Sequence, residues 1–99
     1  MTFVTTQPEM LTAAANQLQG VGTAMAAQNA AVAAPTTGVV PAAADEVSAL
    51  TAAQFANHAQ TYQAVSAQAA AMHEMFVRIL SASAGSYEAT EAANAAAAL

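Results

Sequence analysis

The 99-residue sequence has no cysteine and no tryptophan, and Arg78 is its only basic residue. Without cysteine, disulfides, thiolate catalysis and thiolate metal sites are excluded, and composition says nothing about redox compartment. With one basic side chain there is no Lys/Arg patch to neutralise phosphates, which argues against nucleic acid. The same scarcity argues against a helix held electrostatically on an anionic membrane surface. Charged residues make up 7% of the chain and aromatic residues 5%, with a net charge of −5. The four glycines are scattered and form no phosphate loop. His58 and His73 are the only histidines. On one helix they would lie about 22 Å apart along the axis, too far to share a metal. The serines lie mostly toward the C-terminal end, and Asp45 is well separated from His58, so no Ser-His-Asp arrangement is suggested. Neither catalysis, a metal nor any cofactor is expected.

What is present is apolar and small. Hydrophobic residues make up 57% of the chain, about a third of all residues being alanine. Alanine is the best helix former but buries little area, so the core per residue is thin. The larger apolar residues are placed periodically. Tyr62, Val65, Ala69, Met72, Phe76 and Ile79 step by three and four, the spacing of one seam on a helix. Phe55 and His58 extend this seam backwards, and Met75 and Leu80 widen it. Glu74 and Arg78 stand at i,i+4 in the favourable order, off the seam. His58 reads as a hydrogen-bonded interface residue and His73 as a residue at the seam's edge. The methionines read as adaptable packing groups.

Taken in order, the chain reads as all-α and as one domain. Thr6, Pro8 and Glu9 form a helix start: Thr6 and Glu9 fit a capping box, and Pro8 is tolerated in the first turn. The first helix is expected over residues 8–33. Its seam is Leu11, Ala14, Leu18, Val21, Met25, Gln28 and Val32, with Gly20 and Gly22 permitting close approach of another backbone. Gln28 and Asn29 near the seam either meet solvent or find hydrogen-bond partners. A loop over residues 34–44 carries Pro35, Gly38 and Pro41, with Val39 and Val40 expected to tuck onto a helix. Asp45 and Glu46 open a second helix, expected over residues 45–83, where the dipole favours negative charge. The tail, residues 84–99, is expected to fray near Gly85 and to be disordered past Ala92.

The two helices read as an antiparallel hairpin, with the second overhanging the first around residues 75–80. A lone hairpin leaves the outer half of each seam wet. Small chains without disulfides or metals complete a core by oligomerisation. A four-helix bundle, made with another chain or with a second copy, is the natural completion. Its interface would be extended and mainly apolar, above roughly 2,000 Å². The expected partner face comprises Leu11, Leu18, Val21, Met25, Phe55, His58, Tyr62, Val65, Met72, Met75, Phe76, Ile79 and Leu80. The charge-free run over residues 10–44 also raises a membrane role. Its alanine, threonine, glutamine and asparagine content, with two prolines, fits a spanning helix poorly. No secretory signal peptide of the usual kind is expected at the N-terminus, which has neither a basic region nor a long apolar core.

Pro8-Glu9, the loop Ala-Pro-Thr-Thr-Gly-Val-Val-Pro at residues 34–41, the Ala-Asp-Glu-Val-Ser-Ala-Leu segment at residues 44–50, and Tyr87 with Glu91 together resemble the PE proteins of mycobacteria. The resemblance covers essentially the whole chain and suggests a short PE protein without an extension. It implies a two-helix hairpin that pairs with a PPE protein as a heterodimeric helical bundle. It further implies export of the pair by a type VII secretion system, after a cytosolic chaperone binds the PPE partner. The destination would be the cell envelope or the exterior. The family's export signal, Tyr-x-x-x-Asp/Glu, falls on Tyr87 and Glu91. A second expectation is a channel or permeability component associated with the outer membrane together with its PPE partner.

Overall fold

The structure is a computed structural model that describes residues 3–99. Two α-helices account for nearly all of it: α1, Pro8–Thr37, and α2, Glu46–Ala97. No strand occurs among the described residues. No helix among them is long and apolar enough to cross a membrane.

α1 starts where proline is best tolerated, with Pro8 in its first turn. The Met10 amide donates to the Gln7 carbonyl at 3.0 Å. Thr6 therefore lies outside the helix, and the expected Thr6–Glu9 capping box gives way to another arrangement. The Thr6 amide and hydroxyl both donate to Glu91 Oε1, at 2.7 and 2.9 Å. One carboxylate oxygen takes two donors there, a charge-assisted contact stronger than a neutral cap. At its other end α1 continues past residue 33 and through Pro35. The proline has no N–H to give the Ala31 carbonyl, and the helix ends two residues later at Thr37. Threonine hydroxyls then serve the closing carbonyls: Thr36 donates to Val32 at 2.6 Å, and Thr37 to Ala33 at 2.7 Å.

Asp45 caps α2. Its carboxylate accepts from the Ser48 amide at 2.8 Å and from the Ser48 hydroxyl at 2.8 Å. These bonds hold the Asp45 carboxyl below its ordinary value of 3.8. Val39 and Val40 remain exposed, Val40 strongly so, rather than tucked onto a helix. α2 extends fourteen residues beyond the expected end at residue 83, so the tail is helical and neither frays at Gly85 nor loses order past Ala92. Tertiary contact overrides the roughly 1 kcal/mol helix cost of a glycine: Ala84, beside Gly85, is only 2% exposed, and Glu91 one and a half turns on is held by Thr6.

The contacts divide into two units, one of Met1–Gly22 with His73–Leu99 and one of Thr23–Met72, the division falling within both helices. In the second unit, the Tyr62 hydroxyl donates to Asn29 Oδ1 at 2.8 Å and Gln63 Nε2 donates to the Asn29 carbonyl at 3.1 Å. Asn29 thus meets α2, while Gln28 faces solvent. In the first unit, His73 Nε2 lies 2.6 Å from the Leu18 carbonyl. The helices are antiparallel in each. Residues 75–80 therefore lie beside the first half of α1, and the expected overhang there is absent.

The buried side chains are small: Ala15, Ala52, Ala59 and Ala84. Half-buried positions complete the stripes. On α1, Ala15, Gly22 and Asn29 recur every seven residues; on α2, Ala52, Ala59, Ser66, His73 and Leu80 do the same. That is the coiled-coil period with alanine, glycine and serine in most places. Gly22 has a specific reason. A Cβ there would stand 2.8 Å from His73 Cδ2 and 2.9 Å from Nε2. At Gly20 a Cβ would meet nothing within 4 Å.

Two predictions follow from this packing. Gly20→Ala should stabilise the fold by about 0.5–1 kcal/mol, whereas Gly22→Ala should destabilise it by displacing His73 from Leu18. Adding His73→Ala should remove most of the Gly22→Ala penalty, a coupling visible in thermal melts of the four proteins. For Asp45, the lowered folded value means its cap contributes fully above the ordinary carboxylate range and is lost as pH falls through the folded value. Ser48 amide exchange should therefore be faster in Asp45→Ala than in the parent at pH 7, and the difference should vanish in acid.

Candidate functional site

The stripe of large apolar residues on α2 does not face α1. In the unit containing residues 23–72, Phe55 is 62% exposed and Met72 71% exposed, with Tyr62, Val65, Met25 and Val32 also exposed. In the other unit, Phe76 is 53% exposed, and Met75, Ile79, Val21 and Met10 are exposed as well. The reason lies in the contact stripe. The α2 positions turned toward α1 include 52, 59, 63, 66, 73, 77 and 84, offset from the 55, 62, 65, 72, 76 and 79 series by a step or two around the helix. Alanine and serine hold four of the seven positions in the first series, with Gln63, His73 and Val77 at the others, whereas the second series carries the aromatic residues, Met72 and Ile79. Of the expected partner-face residues, Leu11, Leu18 and Leu80 are half-buried within the chain itself, and His58 is exposed. Glu74 and Arg78 form an exposed i,i+4 pair at 3.7 Å, worth at most about 0.5 kcal/mol.

Two shallow depressions mark this surface. One is lined by Thr51, Gln54, Phe55 and His58, the other by Ile79, Ala82, Ser83, Ser86, Tyr87 and Thr90. Neither gathers acids, bases and nucleophiles in the way a catalytic site does. No group of three or more potential metal ligands occurs among the described residues.

Tyr87 borders the second depression and is about half exposed. Its hydroxyl has no hydrogen-bond partner among the described residues. Glu91 lies one turn further along α2, on the same face. It is half-buried, with Oε1 occupied by Thr6. Pro8 is half-buried and Glu9 exposed. The contacts of Thr6 with Glu91 and of His73 with Leu18 escaped the sequence reading, since each joins residues far apart in the chain. A signal for the small-residue stripe was present in the seven-residue recurrence of Ala15 and Gly22 and of Ala52 and Ala59.

Residues 4–94 match the sequence pattern of the PE family. The chain is 67% identical over 98 residues to the PE family protein PE13 of Mycobacterium tuberculosis, covering 99% of each. It is 61% identical over 98 residues to PE8 of the same organism, covering 99% of this chain and 36% of PE8. It is also 62% identical over 96 residues to the PE-PGRS family protein PE_PGRS33, covering 97% of this chain and 20% of that protein. The chain thus spans the length of PE13 but much less than half of the other two.

Proposed function

Because this chain belongs to the PE family, we propose that it is a non-enzymatic interaction protein, one half of an obligate heterodimer with a PPE-family protein. The pair is exported by a type VII secretion system to the mycobacterial cell envelope or exterior, with a chaperone acting through the PPE partner. Tyr87 and Glu91 form the export signal.

The observation that carries the pairing is the uncovered apolar stripe. Along it Phe55, Tyr62, Met72, Phe76 and Ile79 are each at least 46% exposed. Its composition agrees, since phenylalanine, tyrosine, methionine and isoleucine are the residues that anchor interface cores. A side chain such as Phe76 contributes about 1.5–3 kcal/mol when fully covered. The export reading is supported by Tyr87 and Glu91 sharing one exposed turn of a continuous helix rather than lying in an unstructured tail.

The experiment is co-expression of the tagged chain with the PPE protein encoded beside its gene, followed by the mass of the eluted species. A 1:1 complex is expected; a cooperatively melting homo-oligomer that ignores the PPE protein would overturn the heterodimer. Phe76→Asp or Tyr62→Asp should abolish co-purification by burying an unpaired charge. Tyr87→Ala should leave the complex intact and stop export, read by immunoblot of culture filtrate and envelope fractions. Normal export of Tyr87→Ala would remove the signal assignment.

A further inference from the structure

We propose that Thr6 is a positioning residue for the Tyr87–Glu91 determinant, so that the determinant is presented by the closed hairpin and not by residues 87–91 alone. This rests on the export reading above.

The geometry is specific. Thr6 sits just before α1, and both of its donors, amide and hydroxyl, converge on one oxygen of Glu91. The two residues are separated by 85 positions in sequence. A glutamate on a helix surface has three free torsions and samples many rotamers. Two donors on Oε1 restrict that freedom and hold the carboxylate against Thr6. Tyr87 lies one turn away on the same face, its ring half exposed and its hydroxyl without a partner among the described residues. A reader that takes a phenol and a carboxylate together meets a carboxylate already held one turn from the phenol. A chain in which α1 has not closed on α2 carries the same five residues with Glu91 unheld. The determinant therefore reports the closed state of this unit, and export is restricted to chains whose hairpin has formed.

The test uses the full chain co-produced with its PPE partner. Thr6→Pro removes the amide proton and the hydroxyl at a residue that is already outside the helix. Thr6→Ser keeps both donors. Export of Thr6→Pro should fall at least tenfold, with the yield and 1:1 mass of the co-purified pair unchanged, while Thr6→Ser exports normally. In the purified pair the Thr6 amide should be protected from exchange, and Glu91→Ala should abolish that protection. Parental export of Thr6→Pro, with Tyr87→Ala blocked, would show a linear signal and overturn the proposal while leaving the export reading intact. Raised export of Thr6→Pro would overturn it too, since Thr6 would then be covering Glu91. Normal export of both Thr6→Pro and Tyr87→Ala would overturn the export reading and the proposal with it. If Thr6→Pro disturbs pairing, the near-isosteric Thr6→Val takes its place. A threefold or greater export defect with normal Thr6→Ser supports the proposal, and parental export overturns it.

Discussion

When two helices meet through alanine, glycine and serine, their axes can approach to the short end of the usual 8–10 Å range, and large side chains are excluded from the contact. That exclusion governs this molecule. Ala15 and Gly22 on α1, and Ala52, Ala59 and Ala84 on α2, leave so little room that a single methylene at Gly22 would collide with His73. Phenylalanine, methionine and isoleucine therefore point away from the contact. Their exposure is a direct result of how the hairpin closes.

A seam of small residues has a second property: it is nearly featureless. Alanine against alanine fits almost equally well after a one-turn slip. The polar cross-links supply the missing discrimination. Asn29 takes Tyr62 and Gln63, Leu18 takes His73, and Thr6 takes Glu91. A slip of one turn would break each of these, at most cost for the part-buried Gln63–Asn29 and His73–Leu18 contacts. Three polar contacts thus fix the register that the apolar contact leaves open, as a single buried polar residue does in a coiled coil.

The helices, the start at Pro8 and a break near Gly38 and Pro41 were legible because Pro8, Gly38, Pro41, Asp45 and the three-four spacing all act locally, whereas Pro35 lies inside α1. The stripe of large side chains was also legible from its three-four spacing. What the spacing could not convey is which of two parallel stripes on α2 the first helix would choose. Apolar periodicity weights large residues, whereas the hairpin is built on small ones. The helical tail was hidden for a related reason. Gly85 and a run of alanines signal weak local structure, and the forces that hold residues 84–97 helical come from α1 and from Thr6, which no window centred on the tail contains. The Glu91 clasp lies outside the same horizon, because its two residues are 85 positions apart in the chain.

The cross-links also order the events of folding. Their partners are separated by 33 or 34 positions at Asn29, by 55 at Leu18 and by 85 at Thr6. Closing a longer loop costs more chain entropy unless a shorter one has already closed. The economical route is a zipper that begins near the connection, passes His73 and ends at Glu91. Folding slows as pairings between residues distant in the chain accumulate. During synthesis the constraint is stricter. Thr6 emerges early and waits while 84 further residues are added, because Glu91 leaves the ribosome after every other residue in the cross-links. The clasp joins a residue ahead of α1 to one near the end of α2, so it closes only after both helices have been made.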